Sequence, residues 1–137
     1  MMSSSQVTSN RTIVCIEDDP AMIELISLIL KGKGYDLRGA TSAQQGLDMI
    51  SRERPDLVLL DIMMPEMSGW DVYQRMKADP QMKDIPVIVV TARAATIDRV
   101  LGLNIAKVDD YITKPFSPSV LLGSISKVLG IEEDSLA

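Results

Sequence analysis

The chain has one cysteine, Cys15, so no disulfide can form within it. Cys15 sits inside the apolar run Ile13-Val14-Cys15-Ile16, where a small buried hydrophobe is expected, and a reducing, cytoplasmic setting is the simplest fit. Basic charge is also scarce: 14 Lys and Arg stand against 19 Asp and Glu, a formal net charge of -5. Nucleic acid is therefore not an expected direct partner, because such binding draws on Lys and Arg meeting phosphates, and neither a helix-turn-helix pattern nor zinc-ligand spacing argues otherwise. The stretch 1–10 is polar and Ser-rich with no apolar core, which excludes a signal peptide or membrane span there. No G-x-x-x-x-G-K-[ST] or G-x-G-x-x-G turn follows any apolar run, so the usual nucleotide-binding loops are missing.

What the chain does have is apolar residues, 46% of its 137, enough for one good core and one domain. The expected organisation is a disordered lead over 1–10, a folded domain over 11–130 and a solvated tail or linker over 131–137. Between the tails the pattern alternates. Apolar, β-branched runs suited to buried strands occur at Ile13 to Ile16, Leu57 to Leu60 and Val87 to Val90, with weaker ones at Tyr35 to Ala40 and Tyr111 to Thr113. Helical stripes fill the gaps. The first carries Met22, Leu25, Ile26 and Ile29 after Pro20 and ends at the glycines 32–34; the second carries Leu47 and Ile50 behind Ser42. Trp70, Tyr73 and Met76 space a third that stops before Asp79-Pro80, and Ile97, Val100 and Leu101 a fourth. Ser117-Pro118 opens a fifth that Gly130 closes. Five βα units predict an α/β fold, a doubly wound parallel sheet with helices on both faces.

In a parallel sheet all strands present their carboxyl ends at one edge, so residues just past each strand become neighbours. Those residues are Glu17, Asp18 and Asp19 after the first strand, Asp61 after the third, Thr91 at the end of the fourth and Lys114, followed by Pro115, after the fifth. Clustered carboxylates repel unless a cation compensates, and this oxygen-rich set suits magnesium. Asp18 and Asp61 are the expected direct ligands, with Glu17 or Asp19 reaching the ion through water and the Met63 carbonyl adding another oxygen. Lys114 and Thr91 supply a point charge and a hydroxyl for phosphoryl oxygens. The implied chemistry is phosphorylation of Asp61 to a hydrolysable acyl phosphate.

These residues carry a resemblance. Ile16-Glu17-Asp18-Asp19, Asp61-Ile62-Met63-Met64-Pro65 with Gly69, Val90-Thr91-Ala92, and Asp109-Asp110-Tyr111-Ile112-Thr113-Lys114-Pro115-Phe116 occur in the order seen in receiver domains of two-component response regulators, and the chain resembles that family from about Arg11 to Gly130. The resemblance implies a CheY-like (flavodoxin-like) sheet of order 2-1-3-4-5 and a cis Lys114-Pro115 bond. It also implies a sensor histidine kinase or histidine phosphotransfer protein as phosphodonor. In the family, Thr91 and the aromatic at Tyr111 form the switch, which reshapes the surface of the fourth helix, fifth strand and fifth helix for a downstream target or a second copy.

Two departures stand out. Ala106-Lys107-Val108 replaces the usual Gly-Ala pair before Asp109, which points to a reshaped loop. Met63 and Arg93 stand two beyond Asp61 and Thr91, positions that in receiver domains flank the path of the hydrolytic water; a bulky apolar Met63 offers that water no hydrogen bond and Arg93 crowds or screens it, so a long-lived acyl phosphate is expected. A haloacid-dehalogenase-type phosphatase needs a second Asp where Met63 stands. The remaining alternative is a docking module that works without phosphorylation.

Overall fold

The computed structural model describes residues 10–64, 67–92 and 108–131. The predicted fourth helix, the lead over 1–9, Arg93, Ala106 and Lys107, and the tail from 132 all lie outside them. In chain order the elements are β1 (Arg11–Ile16), α1 (Pro20–Leu30), β2 (Tyr35–Ala40), α2 (Ala43–Glu53), β3 (Leu57–Leu60), α3 (Gly69–Ala78), β4 (Val87–Thr91), β5 (Asp110–Thr113) and α4 (Pro118–Leu129). The last of these is the fifth helix of the sequence reading. The five strands form one sheet of order β2-β1-β3-β4-β5, with every adjacent pair parallel.

Strands β3 and β4 are buried throughout, because helices cover both faces of the sheet at its centre. Alternation along the strands then divides the core in two. On one face Val14, Ile16, Val58 and Leu60 meet Leu47 and Ile50 of α2 and Val72, Tyr73 and Met76 of α3. On the other, Ile13, Cys15, Leu57, Leu59, Ile88 and Val90 meet Ile26 and Leu30 of α1 and Leu121 and Ile125 of α4. Within α1 the buried positions are Ile26 and Leu30, whereas Leu25, expected in the stripe, faces outward. The apolar set of that helix is wider than one face can bury. None of the described helices is long and apolar enough to cross a membrane.

Helix starts are set by local chemistry. Asp19 caps α1 by accepting from the Ala21 amide at 3.0 Å, with Pro20 in the first turn. Ser42, Ser68 and Ser117 cap the other three helices. Gly69 begins α3 for a steric reason: a Cβ there would run into the Asp61 carbonyl oxygen and stand 2.6 Å from Ile62 Cα. The missing side chain lets α3 seat directly on the backbone after β3, where the Gly69 amide donates to the Ile62 carbonyl at 3.2 Å.

Gly69→Ala is expected to destabilise the fold by about 1–3 kcal/mol, since backbone rather than a flexible side chain would have to move. Urea unfolding measures this, and an unchanged midpoint would mean the helix start relaxes freely.

Candidate functional site

Strand register builds the site. Ile16 lies beside Leu60 and Thr91 beside Thr113, so the residues that follow emerge together at the carboxyl edge. The ladder continues past the strand ends: the Glu17 amide donates to the Ala40 carbonyl at 2.9 Å, that of Asp61 to Ile16 at 3.0 Å and that of Lys114 to Thr91 at 2.8 Å. These bonds fix the backbone of three functional residues before any side-chain contact is made.

Carboxylate oxygens of Glu17, Asp18 and Asp61 lie within 4.8 Å of one another. Glu17 and Asp61 are buried, only 2% and 5% exposed, while Asp18 is open to solvent. Lys114 reaches between them, its Nζ 2.6 Å from Glu17 Oε1 and 3.5 Å from Asp61 Oδ2. The second Glu17 oxygen accepts from the Asp19 amide at 3.1 Å, and Asp61 Oδ1 accepts from the Met63 amide at 2.9 Å. Thr91 is fully buried at the end of β4. Tyr111, on β5 beside Val89, is 45% exposed, so its ring is not tucked into the core. The Lys114-Pro115 peptide is cis.

Three placements were not specified by the sequence reading. Asp19 commits one carboxylate oxygen to capping α1 and lies outside the three-carboxylate group, whereas Glu17 lies in it directly. The Asp-Pro pair at a helix start was the available signal. Lys114 is expected to face phosphoryl oxygens, but here its shortest contact is Glu17, an ion pair between residues 97 apart that no local pattern announces. The Met63 amide is likewise a donor to Asp61, the ordinary habit of an aspartate whose side chain turns back onto the chain two residues on.

The electrostatics are unbalanced. Burial pushes the Glu17 carboxyl up to about 7, its bond to Lys114 opposes the rise, and the Asp61 charge adds to it. Burial alone would lower the Lys114 pKa, but the Glu17 hydrogen bond and the charges of Asp61 and Glu17 outweigh it, so the ammonium is held above its ordinary value. Cys15 lies beneath the site, and burial pushes its thiol up to about 12, which leaves it an inert core side chain.

Comparison with known proteins gives a consistent answer. A family described as the response regulator receiver domain matches residues 13–126. The DNA-binding response regulator MtrA of Mycolicibacterium smegmatis is 38% identical over 95% of this chain and 55% of its own length. The phosphate regulon transcriptional regulatory protein PhoB of Pseudomonas aeruginosa is 39% identical over 87% of this chain and 52% of its own. The chain thus spans about half of these curated relatives. Among solved structures, a CheY-like response regulator receiver domain protein from Methanospirillum hungatei superposes with a TM-score of 0.77 at 35% identity, covering 89% of this chain and 95% of that one. A response regulator from Chloroflexus aurantiacus gives 0.80 at 29%, with 88% and 98% covered. The DNA binding in the first relative's name belongs to a whole protein. The expectation of no nucleic-acid contact rests on this chain's own net charge of -5 and extends no further than this chain.

In metal-free protein the Glu17 carboxyl should titrate near pH 7 by carbon-13 NMR, and Asp61→Asn should lower that midpoint by removing a neighbouring negative charge. A folded pKa of about 7 against 4.5 means the folded state holds the extra proton between those values, so this group makes the fold less stable as pH rises through that window. An ordinary glutamate midpoint, or one indifferent to Asp61→Asn, would contradict this account.

Proposed function

The chain belongs to the response regulator receiver domain family of two-component signalling, and from that premise we propose that it is a phosphoryl-accepting switch whose acceptor is Asp61. The observation that carries this reading is the Asp61 carboxylate itself, buried at the sheet edge with Glu17 and Asp18 within 4.8 Å and the Lys114 ammonium 3.5 Å away.

The donor set fits magnesium. It consists of hard oxygens, without imidazole or thiolate, and three carboxylates stand there with one lysine. Asp18 and Asp61 would hold the ion, with Glu17 and the Met63 carbonyl completing the oxygen set. Bound there, magnesium supplies charge neutralisation for the phosphoryl oxygens.

In the reaction, Asp61 Oδ2 attacks phosphorus in line as the bond to the donor breaks, which converts the carboxylate to an acyl phosphate. The Met63 amide keeps Oδ1 fixed and so sets the plane of the carboxylate. Lys114 exchanges part of its contact with Glu17 for a phosphoryl oxygen, and the Thr91 hydroxyl moves toward another. Tyr111, exposed in this structure, turns inward as Thr91 shifts, and the surface around β5 and α4 changes with it. The donor is a sensor histidine kinase or a histidine phosphotransfer protein in a phosphorelay, and the changed surface is read by a downstream protein. Hydrolysis of the acyl phosphate returns the switch to rest. Met63, 44% exposed beside Asp61, presents an apolar side chain to the water that must attack.

Incubation with magnesium and phosphoramidate is expected to add one phosphoryl group by intact mass, and Asp61→Asn or chelation should abolish the gain. Absence of any addition to the wild type would favour a docking module independent of phosphorylation. Met63→Asn, which offers the attacking water a hydrogen bond, should shorten the acyl-phosphate lifetime several-fold. An unchanged or longer lifetime would remove Met63 from that role.

A further inference from the structure

Strand β2 is the outer strand of the sheet on the side away from β5. Among the described strands none pairs with its outer edge, which can be assigned residue by residue. Arg11 donates to the Gly34 carbonyl at 3.0 Å and Glu17 to that of Ala40 at 2.9 Å, so the even-numbered backbone groups of β2 point at β1. Strand periodicity then turns the amide and carbonyl of Tyr35, Leu37 and Gly39 outward. The side chains divide the other way. Tyr35 and Leu37 pack with the α1 layer, and Asp36 and Arg38 share the opposite face with Ala40.

Exposed edges are commonly guarded by charge, and a guard repels a second copy when like charges meet across the pairing. Here the two charges are opposite in sign and lie one on each side of Leu37. A two-fold axis at Leu37 therefore sets Asp36 of each copy opposite Arg38 of the other, at the non-hydrogen-bonded positions where side chains approach closest. The same axis lets Leu37 exchange both backbone hydrogen bonds with its mate. The present partners of these charges are loose: Asp36 accepts from Asn10 Nδ2 at 3.3 Å, and Arg38 Nε lies 3.9 Å from Glu53, all on the surface. On the α1 side lies an open groove of about 730 Å³ lined by Glu24, Lys31 and Asp36 as well as by Leu28, Tyr35 and Leu37, and Leu28 is 63% exposed, the most exposed large hydrophobic among the described residues.

We propose that two copies of this chain pair antiparallel along β2 about Leu37, joining their sheets into one and packing the mate's Leu37 against Leu28. The contact lies at the edge opposite β5, so it leaves Asp61 and Tyr111 free and does not depend on phosphorylation.

Sedimentation of the 137-residue chain, with and without beryllofluoride, tests this directly. A dimer indifferent to beryllofluoride is expected. Asp36→Arg or Arg38→Asp alone, each of which sets like charges opposite one another twice, should weaken it roughly tenfold or more. The double exchange D36R/R38D should restore it. A wild type that stays monomeric at millimolar concentration overturns the proposal, as does a dimer that needs beryllofluoride, ignores the single reversals or is not rescued by the double exchange. Hydrogen exchange of wild-type protein gives a second reading without any variant. The outward Leu37 amide should become protected as protein concentration rises, and exchange that does not change with concentration rejects the pairing.

Discussion

Lys114 holds two buried carboxylates that would otherwise drive each other apart. Its ammonium stands 2.6 Å from Glu17 and 3.5 Å from Asp61, and among the described ion pairs it is the one that joins two acidic groups inside the molecule. Charges removed from water are costly, and attraction across a buried pair offsets that cost only when the geometry is close and the remaining oxygens are hydrogen-bonded. Here the Asp19 and Met63 amides occupy those remaining oxygens. Burial still pushes the Glu17 carboxyl toward its protonated form, and the bond to Lys114 opposes this.

The fold delivers this strain through backbone geometry. Parallel strands end at a common edge, and backbone bonds carry the ladder one residue beyond β1, β3 and β5, where the three charged residues stand. The core beneath is apolar on both faces of the sheet and divided by strand alternation. Gly69 brings α3 against the same backbone from above. A cluster with unfavourable electrostatics is thus carried on a rigid platform, the usual way a strained site is supported by packing elsewhere.

The outer strands of the sheet differ in what they present. β5 carries Tyr111 and is tied to α4 through Asp110, which accepts from Ser124 at 2.6 Å and pairs with Lys127 at 3.1 Å. That is where a change at Thr91 has a short path to the surface, since Thr91 and Thr113 are ladder neighbours. Among the described residues β2 meets the site through the backbone bond from the Glu17 amide to the Ala40 carbonyl, and its outward backbone groups and opposite charges lie at the other side of the sheet from β5.

Much of this was legible in the sequence. The alternating apolar runs and stripes specified five strands and the four described helices because burial on both faces leaves a continuous apolar signature, and a carboxylate or lysine directly after such a run is assigned to the sheet edge by topology alone. Asp18, Asp61, Thr91 and Lys114 could be named on that basis. Tertiary structure decided which side chains touch. That Lys114 meets Glu17 more closely than Asp61, that Asp19 turns away to cap α1, and that Leu25 faces outward while Leu30 is buried all depend on angles and distances between elements. A sequence pattern records which face a residue occupies and where its strand ends. It holds no record of the separations of a few ångströms across 97 residues that set the energy of a charge.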